Sequence, residues 1–140
     1  MRNCNTVKLL IFAAIVAIMT ISCHNDPLRP TDTTRPARVS DLSLDSVLSG
    51  MVYFSWTASG DDGVDGKARY YDLRSAGDSS TILNWGGAIQ VQGEPLPSVN
   101  GTHEQAAIVH TFTLPRYFAL KVSDEATNTS PISNIVQLTQ

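Results

Sequence analysis

The sequence predicts an all-β domain, built as a sandwich of about seven strands, behind an N-terminal export segment. One observation is alternation: Val52, Phe54 and Trp56 share one face of the segment Met51–Trp56, as in a strand with a single buried side. A second is spacing, because turn-forming stretches recur about every 8–12 residues through the domain. Neither sheet could bury its apolar face alone, so two sheets must pack together.

Composition limits the function classes. The chain has 140 residues, of which 42% are hydrophobic and 16% charged, with a formal net charge of −3. This length holds one domain and a targeting segment. The sequence has no basic patch suited to a phosphate backbone, so we expect no nucleic-acid partner.

The N-terminal segment predicts export. Leu9–Met19 is an unbroken apolar run that follows a basic start, and it is about half the roughly 20 residues that a membrane-spanning helix needs. A secretory signal therefore fits better than a spanning helix. The run leads into Thr20-Ile-Ser-Cys, which resembles the lipobox of bacterial lipoproteins, although Thr20 stands where leucine is usual.

The lipobox resemblance implies that residues 1–22 are a signal peptide, removed when Cys23 is acylated. An ordinary signal peptide cut nearby, or an uncleaved anchor, is the alternative. Residues 23–36 are rich in Pro, Thr, Asp and Arg, and predict a flexible linker between lipid and domain. The domain, residues 37–140, contains no cysteine and must rest on its hydrophobic core.

Strands are predicted from alternation and their limits from turn residues. The predicted strands are 37–44, 51–56, 68–74, 105–114, 117–123 and 131–139, with a short irregular edge in 81–92. Turns are predicted at 45–50, 75–80 and 124–130, and loops at 57–67 and 93–101. No ten-residue window after the signal segment has helical periodicity.

Together these features resemble a fibronectin type III domain, an immunoglobulin-like β-sandwich. The resemblance covers residues 36–140 and is carried by Pro36, by VYFSW, by YYDLR and by YFALKVSDEATNTSPISN. The pattern W-T-A-x-G-D-D-G-x-x-G-x-A-x-x-Y-D-L-R is similar to a bacterial subset often attached to secreted proteins. One feature departs from the family: Arg116 stands where the corner tyrosine of the sixth strand is expected, and Tyr117 falls on the opposite face.

The loop Gly60–Gly66 contains the main cluster of acidic residues. Asp61, Asp62 and Asp65 supply carboxylates to a glycine-rich loop, and calcium binds six to eight oxygens of this kind. A helix-loop-helix calcium motif does not fit, because both flanks are predicted strands. The simpler interpretation is a solvated turn, since Asp and Gly are common in turns. A weak calcium site is the alternative.

Three aromatic residues are candidates for ligand contact: Trp85, Tyr53 and Tyr70 could present rings to a sugar or a partner protein. Alternatively, Trp85 covers an open end of the sandwich and the tyrosines lie on an outer sheet face. His103 and His110 are too isolated to predict a zinc site. The sequence contains no nucleophile elbow and no phosphate-binding loop.

These observations predict a lipid-anchored, exported, non-catalytic binding or spacer module at the bacterial cell envelope. Its expected partners are a membrane, through the lipid anchor, and an unknown protein or glycan. No cofactor is expected, unless the acidic loop binds calcium. One rival is a carbohydrate-binding or adhesion module with a calcium site in the Gly60–Gly66 loop. A second rival, an enzyme, would need an acid/base pair in a pocket.

Overall fold

The computed structural model describes residues 31–139, which form two packed antiparallel sheets. The strands are β1 (Ser43–Leu48), β2 (Met51–Thr57), β3 (Tyr70–Ala76), β4 (Ile89–Val91), β5 (His103–Val109), β6 (Arg116–Ser123) and β7 (Val136–Leu138). Their order is β1-β2-β5 in one sheet and β4-β3-β6-β7 in the other. This arrangement confirms the predicted immunoglobulin-like sandwich. Within the described residues, no helix is long and apolar enough to span a bilayer.

The core lies between the sheets and follows the predicted alternation. Val52, Phe54 and Trp56 of β2 are buried and face Leu73 of β3 and Phe118 of β6. The Phe54 and Phe118 ring centroids are 5.0 Å apart, and the Trp56 and Tyr71 rings meet edge-to-face at 5.0 Å. Two aromatic pairs, Phe54–Phe118 and Trp56–Tyr71, therefore pack across the interface between the sheets.

The predicted limits of the first strand are wrong. The predicted strand 37–44 and turn 45–50 are replaced by β1 at Ser43–Leu48, paired with β2 through a two-residue turn. Ser49 and Gly50 both have positive φ, at 53° and 76°, which is the backbone of a tight hairpin turn. The pairing shifts between Leu44 and Ser46, and this bulge breaks the alternation.

The irregular edge predicted at 81–92 contains a helix that the sequence did not predict. Helix α1 (Ser79–Leu83) is capped by Asp78, whose carboxylate accepts from the Thr81 N–H at 2.8 Å, and a 3₁₀ turn (Trp85–Gly87) leads into β4. Ile82 of α1 is buried on the outer face of the four-stranded sheet, beside Ala119. This segment thus forms a second, smaller core outside the sandwich.

The remaining differences concern strand ends. The third strand runs from Tyr70 rather than 68, the fifth ends at Val109 rather than 114, and β7 contains only Val136–Leu138. The predicted departure at the corner tyrosine is observed. Tyr117 packs on the outer-face cluster, and the Arg116 guanidinium lies 5.5 Å from the Phe112 ring centroid and donates to Ser75 Oγ at 3.1 Å.

The sandwich has two distinct ends. The acidic pole comprises the N-terminal residues 31–37, the loop 58–69 and the turn 124–130, because β2 and β6 end there and β3 begins there. The far pole comprises the hairpin turn at Ser49–Gly50, the segment 110–115 and the end of β7, which pairs with the start of β6. The described chain therefore enters at one pole and leaves at the other.

Replacing Trp56 should bring the domain close to unfolding. Trp56 is only 1% exposed, so Trp56→Ala should lower the free energy of unfolding by about 3–5 kcal/mol. Small domains have only about 5–15 kcal/mol in total. Urea unfolding followed by circular dichroism measures the change. Val109→Ala, at a position 60% exposed on the same sheet, is the control and should cost below about 0.5 kcal/mol. A loss below about 1 kcal/mol for Trp56→Ala would contradict the packing.

Candidate functional site

The acidic loop is a tight turn closed by its own backbone. Asp62 and Asp65 pair through both N–H groups, with N···O distances of 3.2 and 3.1 Å. Gly63 and Gly66 have positive φ, at 66° and 74°, and Gly60 lies against the Asp65 backbone with no room for a β-carbon. The glycines are therefore required by the turn itself, whatever the carboxylates bind.

The carboxylates of the loop point to different neighbours. Asp61 lies beside Glu125 and Asp124 of the β6–β7 turn, and its Oδ1 is buried without a hydrogen-bond partner. Loss of hydration, and then the charge of Glu125, raise the pKa of Asp61 above its ordinary value. Loss of hydration, then Asp32 and Glu125, likewise raise the pKa of Asp62. The acidic pole therefore gathers like charges from three parts of the chain.

The structure does not draw Asp61, Asp62 and Asp65 to one point. Within residues 31–139, no group of three or more His, Cys, Asp or Glu side chains has an arrangement that could hold a metal ion. Asp61 turns towards the β6–β7 turn, whereas Asp65 lies across the loop from Asp62. Calcium binding would need these side chains to rearrange, and the cation site stays a prediction.

Trp85 lies on the outer face of the four-stranded sheet, held by charged side chains. Its Nε1 donates to Asp72 Oδ2 at 3.2 Å, and Arg74 donates to its carbonyl at 2.8 Å. The Arg74 guanidinium and the Lys121 ammonium lie 5.0 and 4.8 Å from its ring centroid. Arg74 also pairs with Asp72 at 2.9 Å. Cation–π contacts and a hydrogen bond therefore fix this ring as a cover over the sheet.

The three aromatic candidates do not form one surface. Tyr53 lies half-buried on β2 of the three-stranded sheet, whereas Tyr70 belongs to the four-stranded sheet and Trp85 packs on it from the 3₁₀ turn. Tyr70 is 41% exposed and shares the outer face of β3 with Asp72 and Arg74. The structure therefore brings Tyr70 and Trp85 to one face and leaves Tyr53 on another. Their contact with a ligand stays a prediction, and Cys23 lies outside the described residues.

A buried carboxylate links the two sheets near the acidic pole, and sequence reasoning did not find it. Glu104 of β5 accepts from the Ser98 N–H at 2.6 Å and from the Tyr71 hydroxyl at 3.4 Å. Burial raises the pKa of the Tyr71 phenol, so this hydroxyl stays a donor at neutral pH. The alternation of β5 places Glu104 on the inner face, and that parity is the signal that could have found it.

An apolar groove opens near the far pole, between the edge strands of the two sheets. Its volume is about 370 Å³, and its walls are Ile89–Gln92 on one side and Ile108, Val109, Thr111 and Phe112 on the other. Ile89 and Val109 flank it with exposed fractions of 63% and 60%. These exposed apolar side chains make the groove a candidate surface for contact with a partner.

No family model matches the chain, and no curated protein matches it. Among solved structures it is similar to the chicken CNTN1 FN1-FN3 domains, at 13% identity and a TM-score of 0.46. The match covers 75% of this chain and 33% of that one, so this chain spans about a third of the length of the protein it matches. The fold assignment rests on the strand order of the two sheets rather than on this likeness.

Asp61→Asn should stabilise the domain at neutral pH. The pKa of Asp61 is raised in the folded state, so its contribution to stability is present below the unfolded pKa and is lost as pH rises through the folded pKa. Thermal melts between about pH 4 and pH 7 should show a higher Tm for Asp61→Asn at pH 7, with a smaller gain on acidification than in the wild type. Asp65→Asn is the matched control. An unchanged or lower Tm of Asp61→Asn at pH 7 would contradict the inference that the acidic neighbours of Asp61 destabilise the folded domain.

Calcium tests the loop directly. Extracellular modules bind calcium at about 10⁻⁴–10⁻³ M. At a hundred times the dissociation constant, the linkage is about 2.7 kcal/mol. For a domain of this size, that corresponds to a rise in Tm of about 10 °C or more. The full chain is melted in detergent with chelator and then with calcium up to tens of millimolar, with magnesium and ionic-strength controls.

The double variant Asp61→Asn with Asp65→Asn shows where any calcium binds. Loss of the shift in this variant would place the ion in the loop, and an equal shift would place it elsewhere. No calcium-specific shift in the wild type would leave the loop as a turn only.

Proposed function

We propose that the chain is a lipid-anchored, exported, non-catalytic module of the bacterial cell envelope that works by binding or spacing. The observation that carries the proposal is the placement of the chain ends. The described chain enters at the acidic pole and leaves at the far pole, so the domain adds its full length between whatever precedes and follows it. A sandwich of this kind hosts many functions, and the ends and surfaces distinguish them.

The anchor is supported by the sequence before the domain. A short apolar run followed by Thr-Ile-Ser-Cys suits a signal peptide whose cleavage leaves Cys23 at the new N-terminus with its thiol acylated. Stable anchoring takes two membrane signals, and multiple acyl chains on one cysteine would supply them. The domain itself has no cysteine for disulfides, and its hydrophobic core, which includes the large side chains of Phe54, Trp56 and Phe118, supplies the stability instead.

The orientation that follows from such an anchor suits a binding role. The chain joins the domain at the acidic pole, so that pole would face the membrane. The groove between β4 and β5 lies nearer the far pole, next to the segment 110–115. A lipid-anchored protein would thus present this groove, flanked by Ile89 and Val109, towards the space beyond the membrane.

A second candidate function is a carbohydrate-binding or adhesion module whose acidic loop is ordered by calcium. The observation in its favour is the crowding of Asp61 and Asp62 with Glu125, which a divalent cation would relieve. Sugar binding through Trp85 is less well supported, because Arg74 and Lys121 already lie over the ring on which a sugar would stack. The calcium melts described above test this candidate.

Replacing Cys23 tests the anchor. Without the thiol no acyl group can be attached, so Cys23→Ser should move the protein from the membrane fraction to the soluble fraction and change its processing site. Cell fractionation with mass spectrometry of the N-terminal peptide measures both. Ser22→Ala, which keeps a small residue before the cysteine, is the control and should stay membrane-bound. Equal membrane retention and identical processing of Cys23→Ser would contradict the proposed lipid anchor.

A further inference from the structure

Residues 31–36, which the sequence assigns to the linker, lie against the acidic loop. Pro36 is fully buried and forms a parallel bridge with Gly63. The Gly63 N–H donates to the Arg35 carbonyl at 3.0 Å, and the Ala37 N–H donates to the Gly63 carbonyl at 2.9 Å. Backbone hydrogen bonds therefore lie on both sides of Pro36, the one buried side chain of this segment. We call residues 31–36 the N-terminal latch.

A single side chain holds the other half of the N-terminal latch. Asn128 Nδ2 donates to the carbonyls of Asp32 and Thr34, both at 3.2 Å, and to Asp124 Oδ2 at 2.8 Å. Asp124 is 0% exposed, and its Oδ1 accepts from the Asn128 N–H at 2.8 Å. The buried carboxylate thus fixes Asn128, and Asn128 fixes the latch to the β6–β7 turn.

The bonds that hold the N-terminal latch are few compared with those of the sheets. Arg35 and Thr34 are exposed, and the segment contributes no strand to either sheet. Asp32 adds its charge next to Asp62, which opposes docking. Segments with few buried contacts open with much lower free energy than core strands do.

We propose that the N-terminal latch docks and releases as one unit while the sandwich stays folded. A pull on the chain before Thr31 then acts on Asn128 and Gly63 before it reaches any strand. Release removes the Arg35 and Ala37 partners of Gly63, so the state of the latch and the order of the acidic loop are coupled. Because coupling free energies are reciprocal, whatever orders the loop also strengthens the latch.

Amide hydrogen exchange of the purified full chain in detergent tests the latch. The Gly63 and Ala37 amides report on docking, and the Leu120 and Ser133 amides, bonded to Ser133 Oγ and to the Leu120 carbonyl, report on the sandwich. In the wild type, Gly63 and Ala37 should exchange faster than the two core amides. Asn128→Ala removes the side-chain bonds to the latch and should speed exchange at Gly63 and Ala37 about ten- to a hundredfold, with little change at the core.

Asn128→Ala also removes a side-chain hydrogen bond to the buried Asp124 carboxylate. If that loss destabilises the whole domain, two further variants separate release of the latch from global unfolding. Pro36→Ala alters the latch without touching Asn128 and should speed the same two amides. Asn100→Ala, at an exposed asparagine that uses only its backbone N–H at this pole, should leave them unchanged. The proposal is overturned if Gly63 and Ala37 exchange at the core rate in the wild type, or if both latch variants speed the core amides equally.

Discussion

The edge-to-face contact between Trp56 and Tyr71 is the interaction on which the rest of the domain depends. It joins β2 of one sheet to β3 of the other immediately beside the loop that connects them. The Tyr71 hydroxyl continues to Glu104 on β5, so one aromatic pair and one buried carboxylate fasten three strands. A domain without a disulfide has no covalent substitute for this contact. The long acidic loop can therefore keep its own tight structure, because its two ends are already fixed.

The sequence predicted the strands whose alternation is long and uninterrupted. Val52, Phe54 and Trp56, like Phe118, Leu120 and Val122, are buried as their parity requires. The first strand was misplaced because its bulge at Leu44/Ser46 and its exposed end remove the periodic signal. Helix α1 has five residues, too few for a helical period to emerge.

The candidate site was predicted less completely than the fold, for a different physical reason. The acidic loop was placed correctly, but its main electrostatic neighbours, Glu125 and Asp32, are far away in the sequence. The cover formed by Trp85 depends on Asp72, Arg74 and Lys121 from two paired strands. The register between paired strands brings such residues together. A single sequence does not show which strands pair or in which register.

One atom of the acidic pole bears on the choice of expression host. Asn128 begins the tripeptide Asn-Thr-Ser, the acceptor pattern for N-linked glycosylation in secretory hosts, and its Nδ2 is the atom that would carry the sugar. In the folded domain that nitrogen donates to Asp32, Thr34 and Asp124. A glycan added before folding would occupy the place of those partners. Material from a eukaryotic secretory host and material from a bacterial host would then differ in the attachment of residues 31–36, although their sheets are the same.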